Sequence, residues 1–157
     1  MTRPTPVDYE WMKVAIELAH QCPPSMGAYS VGAVIVDQGG GEISRGYSRE
    51  TDSHVHAEES ALAKLAHDDP RLKTATIYST LEPCSRRKSR PVPCTQLIVA
   101  ARIPRVVMAW REPSLFVTGC QGYEILADAG VTVVEIPDLA QAAKAPNTHL
   151  PLADSAD

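Results

Sequence analysis

Short β-branched runs alternate with helix-forming stretches along this chain, and that alternation constrains its fold more than any other feature. Five runs rich in Val, Ile, Thr and Tyr have the length and the bounding turn residues of strands. Strand–helix–strand connections place consecutive strands in parallel, so the last three runs are predicted to be parallel neighbours. The predicted strands span residues 31–36, 42–47, 76–80, 105–110 and 131–136.

The stretches between these runs carry helical patterns. Apolar residues from Trp11 to Leu18 recur at the spacing of one buried helix face, which predicts a first helix over 8–20 that ends before two prolines. Three glycines at 39–41 turn the first two strands into an antiparallel hairpin. We therefore expect an α/β fold, a three-layer α/β/α domain with a mixed five-stranded sheet and helices on both faces. Further helices are predicted over 56–66, 93–101, 121–129 and 139–144.

The composition is that of an ordinary globular chain, with 44% hydrophobic and 22% charged residues in 157. We expect a single domain over 1–157, with a core over about 8–137, a short C-terminal helix and an acidic tail. The sequence shows neither a run of about eighteen apolar residues nor a secretory signal pattern in its first residues. The protein is therefore expected to be cytoplasmic and not to associate with a membrane. A net charge of -4 does not favour binding of long nucleic acids.

Four cysteines in a cytosolic chain indicate metal binding or chemistry more than a disulfide framework. His56-Ala57-Glu58 stands at the predicted start of a helix, Pro83-Cys84 follows a predicted strand, and Cys94 opens the next helix. One imidazole and two thiols match the three protein ligands of a catalytic zinc site, whose fourth position stays open to water. We therefore predict that His56, Cys84 and Cys94 bind Zn²⁺ and that Glu58 is the catalytic residue beside it.

The predicted chemistry depends on His56 and Glu58 sharing one pocket. Residues two apart in mid-helix point about 200° away from each other, so the pair can meet only at the start of a helix. Zinc would activate a water molecule. Glu58 would take a proton from that water, pass it to a ring nitrogen, and then protonate the departing amine. Such a site would hydrolyse a ring amine to a carbonyl and ammonia. The pattern is the signature of zinc deaminases, except that nine residues separate the cysteines instead of two.

Other polar residues near these motifs leave alternatives open. His54 is either a substrate contact or a solvated loop residue, and the basic run from Arg86 to Arg90 is either a phosphate site or a solvated surface. Cys22 and Cys120 have no comparable setting and are expected to be structural or incidental.

The same motifs resemble the cytidine deaminase superfamily, most closely the diaminohydroxyphosphoribosylaminopyrimidine deaminase domain of riboflavin biosynthesis. The resemblance spans about residues 8–136, and a long loop between the two cysteines is itself a mark of that branch. It rests on the segments Val31-Gly32-Ala33-Val34-Ile35-Val36, His56-Ala57-Glu58, Thr80-Leu81-Glu82-Pro83-Cys84-Ser85, Pro93-Cys94 and Arg105-Val106-Val107.

The resemblance implies a cytidine deaminase-like fold, a zinc site of His56, Cys84 and Cys94, and Glu58 as the proton shuttle. It also implies that Arg90 faces a substrate phosphate. A small heterocyclic amine is the implied substrate, and a homodimer or higher homo-oligomer is the implied assembly.

The chain departs from that branch at positions that the resemblance assigns to substrate binding. Ala28-Tyr29 stands in place of an Asn-Pro pair, Ser48 in place of a substrate-facing His, and Arg86 in place of a His. Glu112-Pro113-Ser114-Leu115 replaces an Asp-Pro-Asn-Pro stretch. The metal ligands are unchanged, so the reaction class is predicted more firmly than the substrate. The predicted substrate-binding residues are Ser48, His54, Arg86 and Arg90.

Three functions remain as hypotheses. The first is deamination of the riboflavin-pathway diaminopyrimidine or of a related phosphoribosylated heterocycle. The second is a cytidine or deoxycytidylate deaminase, which the loss of the branch's Asn and His favours. The third is a non-catalytic zinc-binding module, which Glu58 disfavours because structural zinc sites have four protein ligands and need no adjacent base. Nucleic-acid editing is disfavoured by an aromatic content of only 5%.

Overall fold

The computed structural model describes residues 3–85, 91–111 and 121–150. Its strands are β1 (Gly32–Val36), β2 (Glu42–Tyr47), β3 (Thr76–Leu81), β4 (Arg105–Trp110) and β5 (Thr132–Glu135). They form one sheet in the order β2-β1-β3-β4-β5. β1 runs antiparallel to both of its neighbours, whereas β3, β4 and β5 are parallel. The predicted mixed sheet with an antiparallel hairpin at one end is therefore confirmed.

The described residues also form five α-helices, which cover both faces of the sheet. They are α1 (Pro6–Ala19), α2 (Ala57–Ala63), α3 (Cys94–Ala100), α4 (Gly122–Asp128) and α5 (Ala140–Lys144). α1 and α5 contact each other and lie on one face, while α3 contacts both α2 and α4 on the other. This arrangement confirms the three-layer α/β/α prediction. Short 3₁₀ helices lie at Pro70–Thr74, Pro137–Leu139 and Ala145–Asn147.

Each face of the sheet buries its own apolar cluster. Consecutive strand residues alternate between them, as the pleat requires. Ile77 and Val106 join the cluster under α3 and α4, whereas Tyr78 and Val107 join the cluster under α1. Helices therefore cover the apolar residues on both faces of the sheet. A site that is open to substrate is expected at the ends of the strands.

The helix α1 begins two residues before its predicted start. Thr5 accepts a hydrogen bond from the Asp8 amide, and Asp8 accepts one from the Thr5 amide, so the two form a capping box with Pro6 at the first helical position. The Asp8 carboxylate also accepts two hydrogen bonds from Arg105 at 2.7 and 2.8 Å and one from the Tyr78 hydroxyl at 2.8 Å. α1 is thereby attached to the amino ends of β3 and β4.

The helix α2 lies against β2 at a glycine. A Cβ on Gly46 would come within 2.6 Å of the carbonyl oxygen of Ala57, so only glycine permits this approach. Ser44 adds a hydrogen bond from its hydroxyl to the carbonyl of Ala61 at 2.6 Å. α2 ends at Ala63 rather than at the predicted residue 66, because its last turn tightens into an i→i+3 bond between the Leu65 amide and the Leu62 carbonyl.

The segment after β5 returns to the start of β1. Asn147 is fully buried, and its amide accepts from the Ser30 amide at 2.6 Å and donates to the Ser30 carbonyl at 3.1 Å. The predicted acidic tail lies mostly at 151–157, outside the described residues, so the proposed domain limits stay a prediction. Within the described ranges no helix has the length and apolar character that crossing a bilayer requires.

Candidate active site

The candidate site lies at the edge of the sheet where β3 ends. Because β3 and β4 are parallel, their carboxyl ends meet at the same edge, with Leu81 opposite Trp110. β1 runs the other way, so its amino end lies beside the carboxyl end of β3, with Ala33 opposite Ser79. The loop that follows Leu81 carries Cys84 into this edge.

His56 is the residue immediately before α2. Its backbone is extended, with φ −89° and ψ 162°, and its amide donates to Glu59 Oε1 at 3.2 Å. Because His56 lies outside the helical spiral, the 200° divergence of residues two apart does not apply to it and Glu58. The start of α2 thus supplies the geometry that a shared pocket requires.

Cys84 and Cys94 are brought together by the start of α3. Cys94 is the first residue of that helix, and its amide donates to the Cys84 sulfur at 3.2 Å. The next amide, of Thr95, donates to the Cys84 carbonyl at 3.1 Å. Both thiols are buried, and the backbone of α3 fixes their separation.

The donor atoms of His56, Cys84 and Cys94 have the spacing of a zinc site. All three lie within 4.8 Å of one another, and His56 Nδ1 is 3.7 Å from Cys84 Sγ and 3.5 Å from Cys94 Sγ. Ordinary zinc bond lengths in a tetrahedron separate a sulfur from a nitrogen ligand by about 3.5 Å. The residues present therefore fit the ion, and they would fill three of its four positions.

Charge in the cluster favours metal binding as well. A hydrogen bond with Cys94 lowers the pKa of the Cys84 thiol to about 4, and His56 adds to this effect against the burial of the sulfur. The thiolate is the form of cysteine that coordinates metals. Cys84 is therefore ready for coordination at neutral pH.

Glu58 lies beside the cluster without belonging to it. Its side chain is buried, and Oε2 accepts a hydrogen bond from the Ser79 hydroxyl at 3.1 Å. Burial raises the pKa of the Glu58 carboxyl, His56 opposes this effect and Cys84 adds to it. The carboxyl is therefore more easily protonated than an exposed glutamate and is near both His56 and Cys84.

Two of the four predicted substrate-binding residues lie among the described residues, and they differ in exposure. Ser48 is buried, and its hydroxyl accepts from the Val31 amide at 2.9 Å, while its own amide donates to the Val31 carbonyl at 3.0 Å. His54 is exposed, with its amide bonded to Asp52. Arg86 and Arg90 lie outside the described residues. Substrate contact by these four residues stays a prediction.

Two positioning contacts escaped the sequence analysis, although Glu82 and Ser85 both stand in the motif around Cys84. Glu82 Oε2 accepts from the Tyr123 amide at 2.8 Å, and the Ser85 hydroxyl accepts from the Gln121 amide at 3.0 Å. A Cβ on Gly122 would lie 2.1 Å from the Pro83 carbonyl oxygen, so α4 approaches the Cys84 loop at a glycine. The available signal was a glycine at the start of a helix together with a carboxylate beside a metal ligand.

Ser79 also escaped the sequence analysis. Ser79 stands between Tyr78 and Thr80, where a small hydroxyl residue is ordinarily a filler, and only the placement of α2 over β3 brings it to Glu58. A small polar residue within a predicted strand was the one signal in the sequence.

Comparisons with known proteins match the chain to a deaminase family. The family described as the cytidine and deoxycytidylate deaminase zinc-binding region matches residues 6–110. Over 128 residues the chain is 45% identical to the diaminohydroxyphosphoribosylamino-pyrimidine deaminase of Schizosaccharomyces pombe, covering 80% of this chain and 31% of that protein. The chain thus spans about a third of the length of the curated relatives it matches.

Solved structures give the same result for the fold. RibD of Acinetobacter baumannii is 34% identical with a TM-score of 0.76, over 90% of this chain and 38% of that one. The Aspergillus oryzae Rib2 deaminase, solved in complex with DARIPP, covers 92% of this chain and 100% of that one, at 23% identity and a TM-score of 0.69, and supports the fold alone. Together these matches confirm the family resemblance, the fold class and zinc as the metal of the family's site.

Proposed function

The chain belongs to the cytidine and deoxycytidylate deaminase family, and we propose that it is a zinc-dependent hydrolase that converts a ring amine to a carbonyl and releases ammonia. One observation carries the proposal. Three buried or partly buried ligand atoms lie within 4.8 Å of one another, and the carboxyl of Glu58 stands beside them without being one of them. A structural zinc site has four protein ligands and needs no such neighbour.

The residues of the chain divide the reaction between them. His56, Cys84 and Cys94 would hold the zinc ion, which supplies the Lewis acidity that makes a water molecule nucleophilic near neutral pH. Glu58 accepts one proton from that water and donates it to the ring nitrogen. As the C–N bond breaks, Glu58 accepts the second proton from the newly formed hydroxyl and donates it to the departing amine, so that a carbonyl and ammonia result. Because burial raises the pKa of Glu58, its carboxylate is a stronger base than that of an exposed glutamate and takes up the proton of the water more readily.

For the substrate we propose a small aminopyrimidine or related phosphoribosylated heterocycle, with the riboflavin-pathway diaminopyrimidine as the leading candidate. The 45% identity to the Schizosaccharomyces pombe deaminase supports this choice. A cytidine or deoxycytidylate substrate is the alternative, since the matching family is described by those two activities. A homo-oligomer in the cytoplasm remains part of the same proposal.

The role of Glu58 is tested by the substitution Glu58→Gln, which keeps the size of the side chain and removes its proton transfer. We expect the variant to retain stoichiometric zinc, measured by metal analysis, and to lose ammonia release by at least about a hundredfold. Glu10→Gln, on an exposed position of α1, is the matched control and should behave as the wild type. Turnover by Glu58→Gln near the wild-type rate would reject the assigned role.

The substrate is tested by ammonia release from the zinc-loaded wild type on a panel of amines. The panel contains the riboflavin diaminopyrimidine intermediate, cytosine and adenine nucleosides and nucleotides, guanine and unrelated amino-heterocycles. Turnover of the first compound supports the leading candidate, and turnover of deoxycytidylate or cytidine supports the alternative. Silence on every compound, with a fourth protein ligand in the metal spectrum, would support the non-catalytic zinc module instead.

A further inference from the structure

We propose that Ser79 is a positioning residue for the reaction. Its hydroxyl holds the carboxyl of Glu58 towards the candidate zinc ligands. This proposal rests on the proposed function for Glu58. The Ser79 hydroxyl lies 3.1 Å from Glu58 Oε2, and Ser79 is fully buried.

The contact is built from rigid parts. Ser79 lies in β3, the central strand of the sheet, where it is opposite Ala33 of β1 and Met108 of β4. Glu58 lies in the first turn of α2, whose approach to the sheet is fixed at Gly46. A glutamate side chain has three rotatable bonds, so a fixed hydroxyl at its end selects one orientation among several.

Ser79 has no described competitor for this task. Across residues 3–85, 91–111 and 121–150, it provides the one side-chain hydrogen bond that Glu58 receives. The carboxyl also accepts a hydrogen bond from its own backbone amide, so Ser79 is the partner that ties it to the sheet. Removing the hydroxyl therefore releases the carboxyl from the sheet.

The hydroxyl can also keep its contact through both roles that Glu58 has in turnover. Ser79 Oγ lies 2.9 Å from the Leu81 carbonyl oxygen as well as 3.1 Å from Glu58, and it has one proton. When Glu58 is the proton acceptor, Ser79 can donate to it. When Glu58 carries the proton, Ser79 can accept from it and donate to Leu81 instead.

Substitution of a serine with a purely structural role should have a different effect, and the chain contains such a serine for comparison. Ser44 is buried in β2, and its hydroxyl donates to the Ala61 carbonyl at 2.6 Å. If Ser79 served only to satisfy Leu81, its loss would resemble the loss of Ser44 and would lower stability without affecting turnover.

The test compares Ser79→Ala, Ser79→Cys and Ser79→Thr with Ser44→Ala in the zinc-loaded protein. We expect the Ala and Cys variants to lower kcat about tenfold to a hundredfold, with KM changed less than about twofold and zinc content unchanged. Ser79→Thr keeps the hydroxyl and should recover most of kcat, and Ser44→Ala should lower only the unfolding midpoint. The Cys variant conserves volume and decides the matter if the Ala variant does not fold. Wild-type kcat in Ser79→Cys would overturn the proposal.

A second readout needs no substrate. In protein labelled with ¹³C at glutamate Cδ, the Glu58 resonance is the one that disappears in Glu58→Gln. We expect this resonance to shift in Ser79→Ala and Ser79→Cys, and to stay near its wild-type position in Ser79→Thr and Ser44→Ala. An unmoved resonance overturns the positioning role, whereas a moved resonance in a protein that turns over nothing rejects the proposed function and leaves the contact supported.

Discussion

At the scale of single residues, the contrast between two cysteines shows how surroundings select chemistry. Burial raises the pKa of the Cys22 thiol, whose sulfur lies 3.5 Å from the Val31 carbonyl oxygen. The hydrogen bond with Cys94 lowers the pKa of Cys84 to about 4. The same side chain is therefore a neutral filler in one place and a ready thiolate in the other.

Membership of the ligand cluster predicts which cysteines the metal needs. Cys94→Ser should reduce bound zinc from stoichiometric to near zero, because a hydroxyl that stays protonated at neutral pH is a poor replacement for a thiolate ligand. Cys22→Ser should retain full zinc, since Cys22 lies outside the ligand cluster. Metal analysis of both purified variants after dialysis checks the prediction, and full occupancy in Cys94→Ser would mean that another group completes the site.

At the scale of elements, the attachment of α1 to the sheet depends on one carboxylate. Asp8 is almost fully buried, and it receives both hydrogen bonds of the Arg105 guanidinium as well as that of Tyr78. Burial alone would raise the pKa of Asp8, but the hydrogen bonds from Arg105, Thr5 and Tyr78 together lower it to about 2. The ionised form is thus the one that holds helix and sheet together.

Asp8→Asn should lower the free energy of unfolding by about 3 kcal/mol near pH 7, because it leaves the Arg105 charge without its buried partner. The folded pKa lies below the ordinary value of 3.8, so this contribution is complete above about pH 4 and disappears as the pH falls towards 2. Urea unfolding of wild type and variant from pH 7 to 3 measures the difference. Glu42→Gln, which breaks the exposed pair with Arg45, should change stability by less than about 1 kcal/mol.

At the scale of the whole molecule, the C-terminal segment closes the fold at the edge that holds the candidate site. Asn147 bonds both backbone groups of Ser30, which lies 117 positions earlier and two residues before β1. The Arg49 guanidinium also contacts the segment before β1, where it donates to the Tyr29 carbonyl at 3.1 Å and to the Ser30 hydroxyl at 2.7 Å. The segment before β1 is therefore fixed from two sides.

Asn147→Ala should lower the free energy of unfolding by about 2 kcal/mol, because it leaves the amide and carbonyl of Ser30 buried without partners. Gln141→Ala, at an exposed position of α5, is the control and should stay within about 0.5 kcal/mol of the wild type. Chemical denaturation of the two variants gives the comparison. A loss of equal size in both would show that the segment contributes through its helix rather than through Asn147.

The sequence by itself determined the elements and the types of the candidate metal ligands. Helical spacing from Trp11 to Leu18, β-branched runs such as that in β4, and the cysteines at 84 and 94 are local patterns, and each reflects a preference of neighbouring residues. The α/β class followed from their order, since strand–helix–strand connections have one favoured arrangement. The resemblance to the deaminase family rests on the same local segments.

Only the tertiary structure decided which distant side chains meet. The contact of Ser79 with Glu58 requires α2 to lie over β3, and the contact of Asn147 with Ser30 requires the chain to return across the sheet. The Asp8–Arg105 pair likewise depends on α1 lying on the opposite face. Strand order and helix placement depend on how much apolar surface the whole chain buries. That total is a property of all the packed elements together, and no window of neighbouring residues specifies it.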